Sequence, residues 1–331
     1  MTPFAFMLTG AGLLLLAFGG EVLLRGAIGV ANRLCLSPML IGLTVVAFAT
    51  SMPELVVTIT AGLEDLTDIG VGNVVGSNIA NTLLILGVSA IICPIVTKPH
   101  LVLRDALAVF AATMVFIGFA YFGELSLIHG IVMIAGLIGY VWYSYRNDGV
   151  RNGENGSGEA FATALNEEIS EEIESAPKSL VIALLLVLGG IVGLVLGSEL
   201  LVRGAVQIAR AAGVSETVIG LTLVAVGTSL PELAASVTAA IRGHTEIAVG
   251  NVLGSNLFNI LLILGVLAIV NPFDVDSSML DFDVWIMAAV SLMVVPLIMI
   301  RGQFGRTSGL IFVMIYAGYI TYQFSLAPAG A

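Results

Sequence analysis

An all-α integral membrane fold, ten transmembrane helices in two inverted five-helix repeats, is the class this sequence predicts, and three observations predict it. The 331 residues are 58% hydrophobic and 11% charged, with a mean hydropathy of +1.06, which places the chain among integral membrane proteins. Apolar runs long enough to span a bilayer recur ten times. The chain also matches itself at a constant offset of 178.

The first five spans fall near 4–24, 37–63, 68–92, 101–121 and 125–145. A polar stretch, 146–178, follows, and five more spans come near 180–202, 214–241, 245–270, 282–300 and 307–324. This divides the chain into a first repeat (1–145), an acidic linker (146–178) and a second repeat (179–331), together one membrane domain. The start, MTPFAFMLTG, has no basic segment ahead of its apolar run and is read as the entry to a retained helix.

The self-match is dense. Residues 42–55 and 220–233 agree at 10 of 14 positions, and 70–87 and 248–265 at 13 of 18. Five spans per copy is an odd number, so the second copy enters the bilayer from the opposite side. Basic residues agree. With both termini outside, Arg25, Arg33, Lys98, Arg104, Arg146, Arg151, Lys178, Arg242, Arg301 and Arg306 lie inside, and only Arg203 and Arg210 outside. The outer loops carry Glu64, Asp65, Asp68, Asp274, Asp276, Asp281 and Asp283, read as solvated acids. The linker is cytoplasmic on this count. Phe161, Leu165, Ile169 and Ile173 recur there every four residues, fitting a short acidic amphipathic helix, and no EF-hand spacing is present.

The repeated stretches GLTVVAFATSMPEL and GLTLVAVGTSLPEL carry the chemistry. Each sets a glutamate, Glu54 or Glu232, inside an apolar run, where a charge is costly and marks a functional site. Pro53 and Pro231 lack an N–H and clash with the carbonyls of residues 49 and 227, so helices 2 and 7 are expected to break there, freeing carbonyls near Thr50 and Thr228. Each acid then falls in the first turn of the following half-helix, at its positive dipole end. Carboxylates with carbonyl and hydroxyl oxygens make a hard-cation site. No basic residue inside either span offers the acids a structural ion pair.

In the second motif Asn73, Ser77 and Asn81 form one helical stripe, repeated by Asn251, Ser255 and Asn259. These neutral oxygens could complete a cation shell, or could only hold helices together. Gly72 with Gly76, and Gly250 with Gly254, form G-x-x-x-G steps for close helix approach. Thr44, Thr58, Thr222 and Ser236 are expected to bond back to their own helices. Glu21 with Arg25, and Glu199 with Arg203, read as local i,i+4 ion pairs. His100, His129 and His244 share no ligand spacing, Cys35 and Cys93 read as inert thiols, and a net charge of −11 argues against nucleic acid.

The two copies of G-L-T-x-x-A-x-x-T-S-x-P-E-L and of G-N-V-x-G-S-N-x-x-N resemble the alpha repeats of the calcium/cation antiporter superfamily, nearest to its prokaryotic sodium/calcium exchangers. The resemblance covers essentially the whole chain. It implies an alternating-access antiporter of the cell membrane, with no cofactor, no protein partner and no enzymatic activity, whose transported ions bind between the repeats. By matching position it implies Ca²⁺ on Glu54, Glu232 and the carbonyls of Thr50 and Thr228. Na⁺ sites would draw on the same acids, on the Ala47 and Ala225 backbone, and on Ser51, Ser77, Ser229 and Ser255. Asn259 departs from members that carry Asp there, which weakens the case for a potassium site, whereas Asn81 matches. The Glu-type replacement common in the proton-coupled branch is absent, so Na⁺ is the preferred counter-ion. A proton/calcium antiporter is the alternative, and a cation channel the more distant one.

Overall fold

The computed structural model describes residues 3–96, 99–149, 177, 179–212, 225–277, 279–301 and 303–326. The expected linker helix, Thr222 and the first part of the seventh span lie outside them. Helix α1 is Pro3–Leu34, α2 is Pro38–Thr50, α3 is Met52–Leu63, α4 is Thr67–Ile92, α5 is Pro99–Phe122 and α6 is Leu127–Gly149. In the second half α7 is Leu180–Ala211, α8 is Leu230–Ile241, α9 is Thr245–Val270, α10 is Val284–Arg301 and α11 is Arg306–Leu326.

Among the described residues, seven helices are long and apolar enough to cross a membrane, or eight if α2 and α3 count as one bent span. The chain is therefore a multi-pass membrane protein. Two expected spans fall short of that measure for physical reasons. The 12-residue α8 is only the second half of its span, and α11 carries Tyr316, Tyr319, Thr321, Tyr322 and Gln323, which lower its hydropathy.

Two expected boundaries need correction. The helices expected over 4–24 and 180–202 run on to Leu34 and Ala211. Hydropathy ends at the first charges, but a helix needs only an unbroken backbone, and Glu21 and Arg25 pair along it rather than interrupt it. What ends α1 is Cys35, whose φ of 53° lets Leu36 N–H reach back to Ala31 O at 3.0 Å. Helices α3 and α8 close the same way at equivalent positions, Asp65 (φ 59°) and Gly243 (φ 76°). At the start of α2, Ser37 accepts from Leu40 N–H at 3.1 Å, and Pro38 occupies the first turn, where its missing N–H costs nothing.

Helices α4 and α9 form the centre: 72% and 83% of their apolar windows are buried, against 22–44% for the other five long apolar helices, so these two face protein while those five present much of their apolar surface outward. Each carries a wide turn, Asn81–Ile85 in α4 and Phe258–Ile263 in α9. Such π turns inside α-helices concentrate at functional sites.

Helices α1 and α7 pack along their length through glycines spaced by seven, at 12, 19 and 26 and at 190, 197 and 204. A Cβ on Gly12 would lie 2.5 Å from Leu201 N, and one on Gly190 2.5 Å from Leu23 N. Backbone meets backbone there, so only glycine fits. Two short pairings join the halves elsewhere. Strand β1 (Ile95–Val96) pairs antiparallel with β2 (Gln303–Phe304), and Leu125 bridges Phe273. Ile95 and Phe273 stand 178 apart, as do Leu125 and Gln303, so one pairing is the repeat image of the other to within a residue.

Candidate functional site

Helices α2 and α3 meet at 44° across Ser51. Pro53 sits in the first turn of α3, and Pro231 takes the same place in α8. Ser51 has φ −81° and ψ 5°, and Ser229 has φ −86° and ψ 6°, so the two breaks share one geometry. One difference appears in the backbone. Ser51 N–H donates to Ala47 O at 3.0 Å, whereas Ser229 N–H donates to Val226 O at 3.1 Å.

The breaks bring the acids together crosswise. Ser51 Oγ donates to Glu232 Oε1 at 3.1 Å, and Ser229 Oγ donates to Glu54 Oε1 at 3.2 Å. Each glutamate thus takes a hydroxyl from the other repeat. Both are fully buried, and no Lys or Arg pairs with either among the described residues. An ion pair does not explain them.

The polar stripe extends the same crossed pattern. Thr50 Oγ1 donates to Asn251 Oδ1 at 3.2 Å and lies 3.5 Å from Ser255 Oγ. Thr228 Oγ1 donates to Asn73 Oδ1 at 3.4 Å, and Ser229 Oγ lies 3.3 Å from Ser77 Oγ. Asn81 Nδ2 donates to Asn256 Oδ1 at 3.2 Å, and Asn256 in turn donates to Thr82 Oγ1 at 2.8 Å. Asn78, the repeat counterpart of Asn256, instead donates to Val74 O in its own helix. Asn259 lies one turn beyond Ser255 and is fully buried. Ala47 is buried beside the first break, and Ala225 opens the short helical turn Ala225–Gly227 before the second.

Four of the buried oxygens at or along these stripes have no hydrogen-bond partner among the described residues: Glu54 Oε2, Glu232 Oε2, Asn81 Oδ1 and Asn259 Oδ1. Buried polar atoms are ordinarily satisfied, and each exception calls for an explanation. Lone pairs left over in a buried, acid-bearing space fit a cation. No group of three or more His, Cys, Asp or Glu exists among the described residues, so two carboxylates would need neutral oxygens to complete a shell.

Two expectations fail. Thr58 and Ser236 do not bond back to their own helices. Each accepts an amide proton instead, Thr58 from Asn73 at 3.1 Å and Ser236 from Asn251 at 2.9 Å, because α3 and α8 lie against the asparagine stripes. Thr44 does bond back, to Leu40 O at 2.6 Å. The i,i+4 pairs Arg25–Glu21 and Arg203–Glu199 form, at 2.8 and 2.5 Å, and Glu21 also takes Arg242 at 3.0 Å.

Sequence reasoning missed a second polar cluster. Arg104 donates to Asp105 and, with both terminal nitrogens, to Asp148 at 2.7 and 2.9 Å, while Tyr140 OH donates to Asp105 Oδ1. Arg104 is thus a partly buried tie between α5 and α6 and not a loop charge. Asp283, the counterpart of Asp105, is held by Tyr319 and Gln323, so it is not the solvated loop acid expected. Only the aligned acids 105 and 283 signalled these clusters in advance.

Two buried acids, each in the first turn of a helix that begins just after a Thr-Ser step, inside a multi-pass membrane protein, define an ion-handling membrane protein as the class. The model of the sodium/calcium exchanger protein family matches residues 4–146 and 182–325. The chain is 35% identical to the putative antiporter CaxA of Alkalimonas amylolytica over 95% of its own length and 97% of that protein. It is 32% identical to the sodium/calcium exchanger MaX1 of Methanosarcina acetivorans, over 96% and 98%. A solved structure of the sodium–calcium exchanger NCX_Mj superposes with a TM-score of 0.80 at 31% identity, over 97% of this chain and 99% of that one. The chain belongs to the sodium/calcium exchanger family, a family of transporters and not of enzymes.

Proposed function

We propose that this protein is a secondary antiporter that exchanges Na⁺ for Ca²⁺ across a cell membrane by alternating access. The observation that carries the reading is the crossed pair, Ser51 on Glu232 and Ser229 on Glu54. It supports a shared site for two carboxylates, each with a spare oxygen, because each accepts from a serine of the other half. Their two charges balance one Ca²⁺. The carbonyls of Thr50 and Thr228 join them as Ca²⁺ ligands. Na⁺ competes for the same acids, assisted by the Ala47 and Ala225 carbonyls and by Ser51, Ser77, Ser229 and Ser255. Asn73, Asn81, Asn251 and Asn259 support that shell. Because three Na⁺ carry one charge more than one Ca²⁺, a three-to-one exchange would move net charge.

Ten spans complete the architecture, residues 1–145 and 179–331 forming inverted repeats with helices 2 and 7 broken at the site. The basic residues put both termini outside and the 146–178 linker in the cytoplasm. The repeat-related images of the two short loop pairings and of the left-handed caps support the inversion. Similarity to CaxA, MaX1 and NCX_Mj supports the ions and the antiport.

Calcium flux in proteoliposomes under imposed Na⁺, K⁺ and H⁺ gradients in turn is the test. A Na⁺ gradient should drive Ca²⁺ movement. Flux that answers only to a pH gradient establishes the proton exchanger, and conduction without counter-transport establishes a channel.

A further inference from the structure

We propose that Asn251 is a positioning residue for Na⁺: its amide oxygen takes the Thr50 hydroxyl proton and so leaves the Ala47 carbonyl one free lone pair for an ion. This rests on the reading of Ala47 as a cation ligand.

The argument is a count of donors and acceptors. Thr50 Oγ1 has one proton and three acceptors within reach, Asn251 Oδ1 at 3.2 Å, Ala47 O at 3.4 Å and Ser255 Oγ at 3.5 Å, the last of which can instead donate its own proton. Ala47 O has two lone pairs and already accepts from Ser51 N–H at 3.0 Å. One lone pair remains, and either the Thr50 hydroxyl or an ion can use it. The nearest acceptor decides, and that is the amide.

The amide's orientation follows from its other neighbours. Asn251 Nδ2 lies 2.9 Å from Ser236 Oγ and 3.4 Å from the Glu232 carbonyl. A carbonyl can only accept, so the NH₂ end must face Glu232 O and the oxygen must face Thr50. Ser236 and Asn251 are both fully buried, as is Thr58 on the other side, so water does not compete for these bonds. Asn251 thereby connects the acid-bearing helix of its own repeat to the broken helix of the other.

The mirror site gives an internal control. Asn73 Oδ1 takes Thr228 Oγ1 at 3.4 Å, and Asn73 Nδ2 donates to Thr58 at 3.1 Å. There the serine N–H goes to Val226 O. The arrangement of Ser51, Thr50 and Ala47 is therefore not repeated bond for bond, and Asn73 has less to protect.

Direct Na⁺ and Ca²⁺ titrations of the purified protein, followed by calorimetry, test this. Removing the acceptor with Asn251→Leu frees the Thr50 proton for Ala47 O, the next nearest acceptor, and should weaken Na⁺ about five- to tenfold, the scale of one ordinary hydrogen bond, with Ca²⁺ changed by less than about twofold. Asn73→Leu should weaken Na⁺ less than Asn251→Leu does. Adding Thr50→Val to Asn251→Leu deletes the misdirected proton and should restore most of the lost Na⁺ affinity. A purely structural Asn251 predicts the reverse, with the double variant weaker still and both ions losing affinity together, and that result overturns the proposal. Should Asn251→Leu fail to fold, Asn251→Asp keeps the acceptor and should bind Na⁺ at least as well as the wild type, so weaker binding would overturn it too. A wild-type protein that binds no Na⁺ refutes the functional reading and this proposal with it, whereas Na⁺ binding indifferent to residue 251 refutes this proposal alone.

Discussion

The contacts of the two acid side chains obey the internal repeat bond for bond, and the two flanks of the molecule do not. Ser51 on Glu232 mirrors Ser229 on Glu54, and Thr50 on Asn251 mirrors Thr228 on Asn73. At one flank Glu21 of α1 takes both Arg25 and Arg242, and α1 runs closely along α8, with Gly20 against Ala234 O and Thr238. At the other, Glu199 pairs with Arg203, and the residue equivalent to Arg242 is Glu64. Helix α7 makes no comparable run along α3, where Val56 and Thr60 are exposed. Under the proposed alternating access, an ion arriving from either side would meet the same ligands, which would hold the centre to symmetry. Closing one side while the other opens would require the flanks to differ.

The strongest way to break this comparison is at the acids. Glu54→Gln and Glu232→Gln should each abolish calcium exchange, and by the same amount. Losing one unit charge about 4 Å from a divalent ion, at an effective dielectric near 20, costs about 8 kcal/mol, twice the value for two unit charges and roughly a millionfold in affinity. Ca²⁺ titration of each variant measures it. Unequal losses would mean that the mirrored bonds hide an unequal site, and full activity in both would remove the site assignment.

The second polar cluster sharpens the contrast away from the centre. Asp105 is fully buried against Arg104 and Tyr140, whereas Asp283 is partly exposed and bonded to neutral groups. Breaking a buried ion pair costs about 3–5 kcal/mol, against about 1 kcal/mol for an ordinary hydrogen bond. Asp105→Asn should therefore lower the melting temperature of the purified protein clearly more than Asp283→Asn.

At the α1–α7 seam symmetry should return. A Cβ at Gly19 would meet Leu194 N at 2.8 Å, and one at Gly197 would meet Leu16 N at 2.8 Å. Backbone cannot rotate away as a side chain can. Gly19→Ala and Gly197→Ala should each cost about 1–3 kcal/mol as overpacking, equally within the error of thermal unfolding.

What the sequence made legible follows the same division. The acids, prolines and asparagine stripes stand out because each is costly or disruptive in a membrane and each occurs twice. Their partners were harder to read, since a motif names the residues on one helix while the bonds run to the other repeat. Thr58 and Ser236 passed for back-bonding residues because hydropathy and spacing carry no information on which helix lies opposite. The glycine seam was hidden among 38 glycines. Arg104 and Asp148, 44 residues apart, meet only once α5 and α6 fold together. The wide turns at Asn81 and Phe258 leave no propensity signal at all.

The smallest expected effect decides the largest question about the flanks. The Arg242–Glu21 pair is partly exposed, with 45% and 20% of the two side chains accessible, and pairs of this kind contribute about 0.2–1 kcal/mol. That is too little to matter for folding, yet 0.7 kcal/mol, within that range, moves a two-state equilibrium by about threefold. If the pair helps to hold α1 against α8, Arg242→Ala should speed amide hydrogen exchange in α8 by about that factor and slow it in α3, as the population shifts towards the mirrored state. Arg203→Ala, which touches no such contact, should leave both rates unchanged. Raising salt should erase the difference between Arg242→Ala and the wild type, because an exposed pair is screened. Equal exchange in all three proteins would show that the flank asymmetry resides in the packing of α1 on α8 and not in its charges.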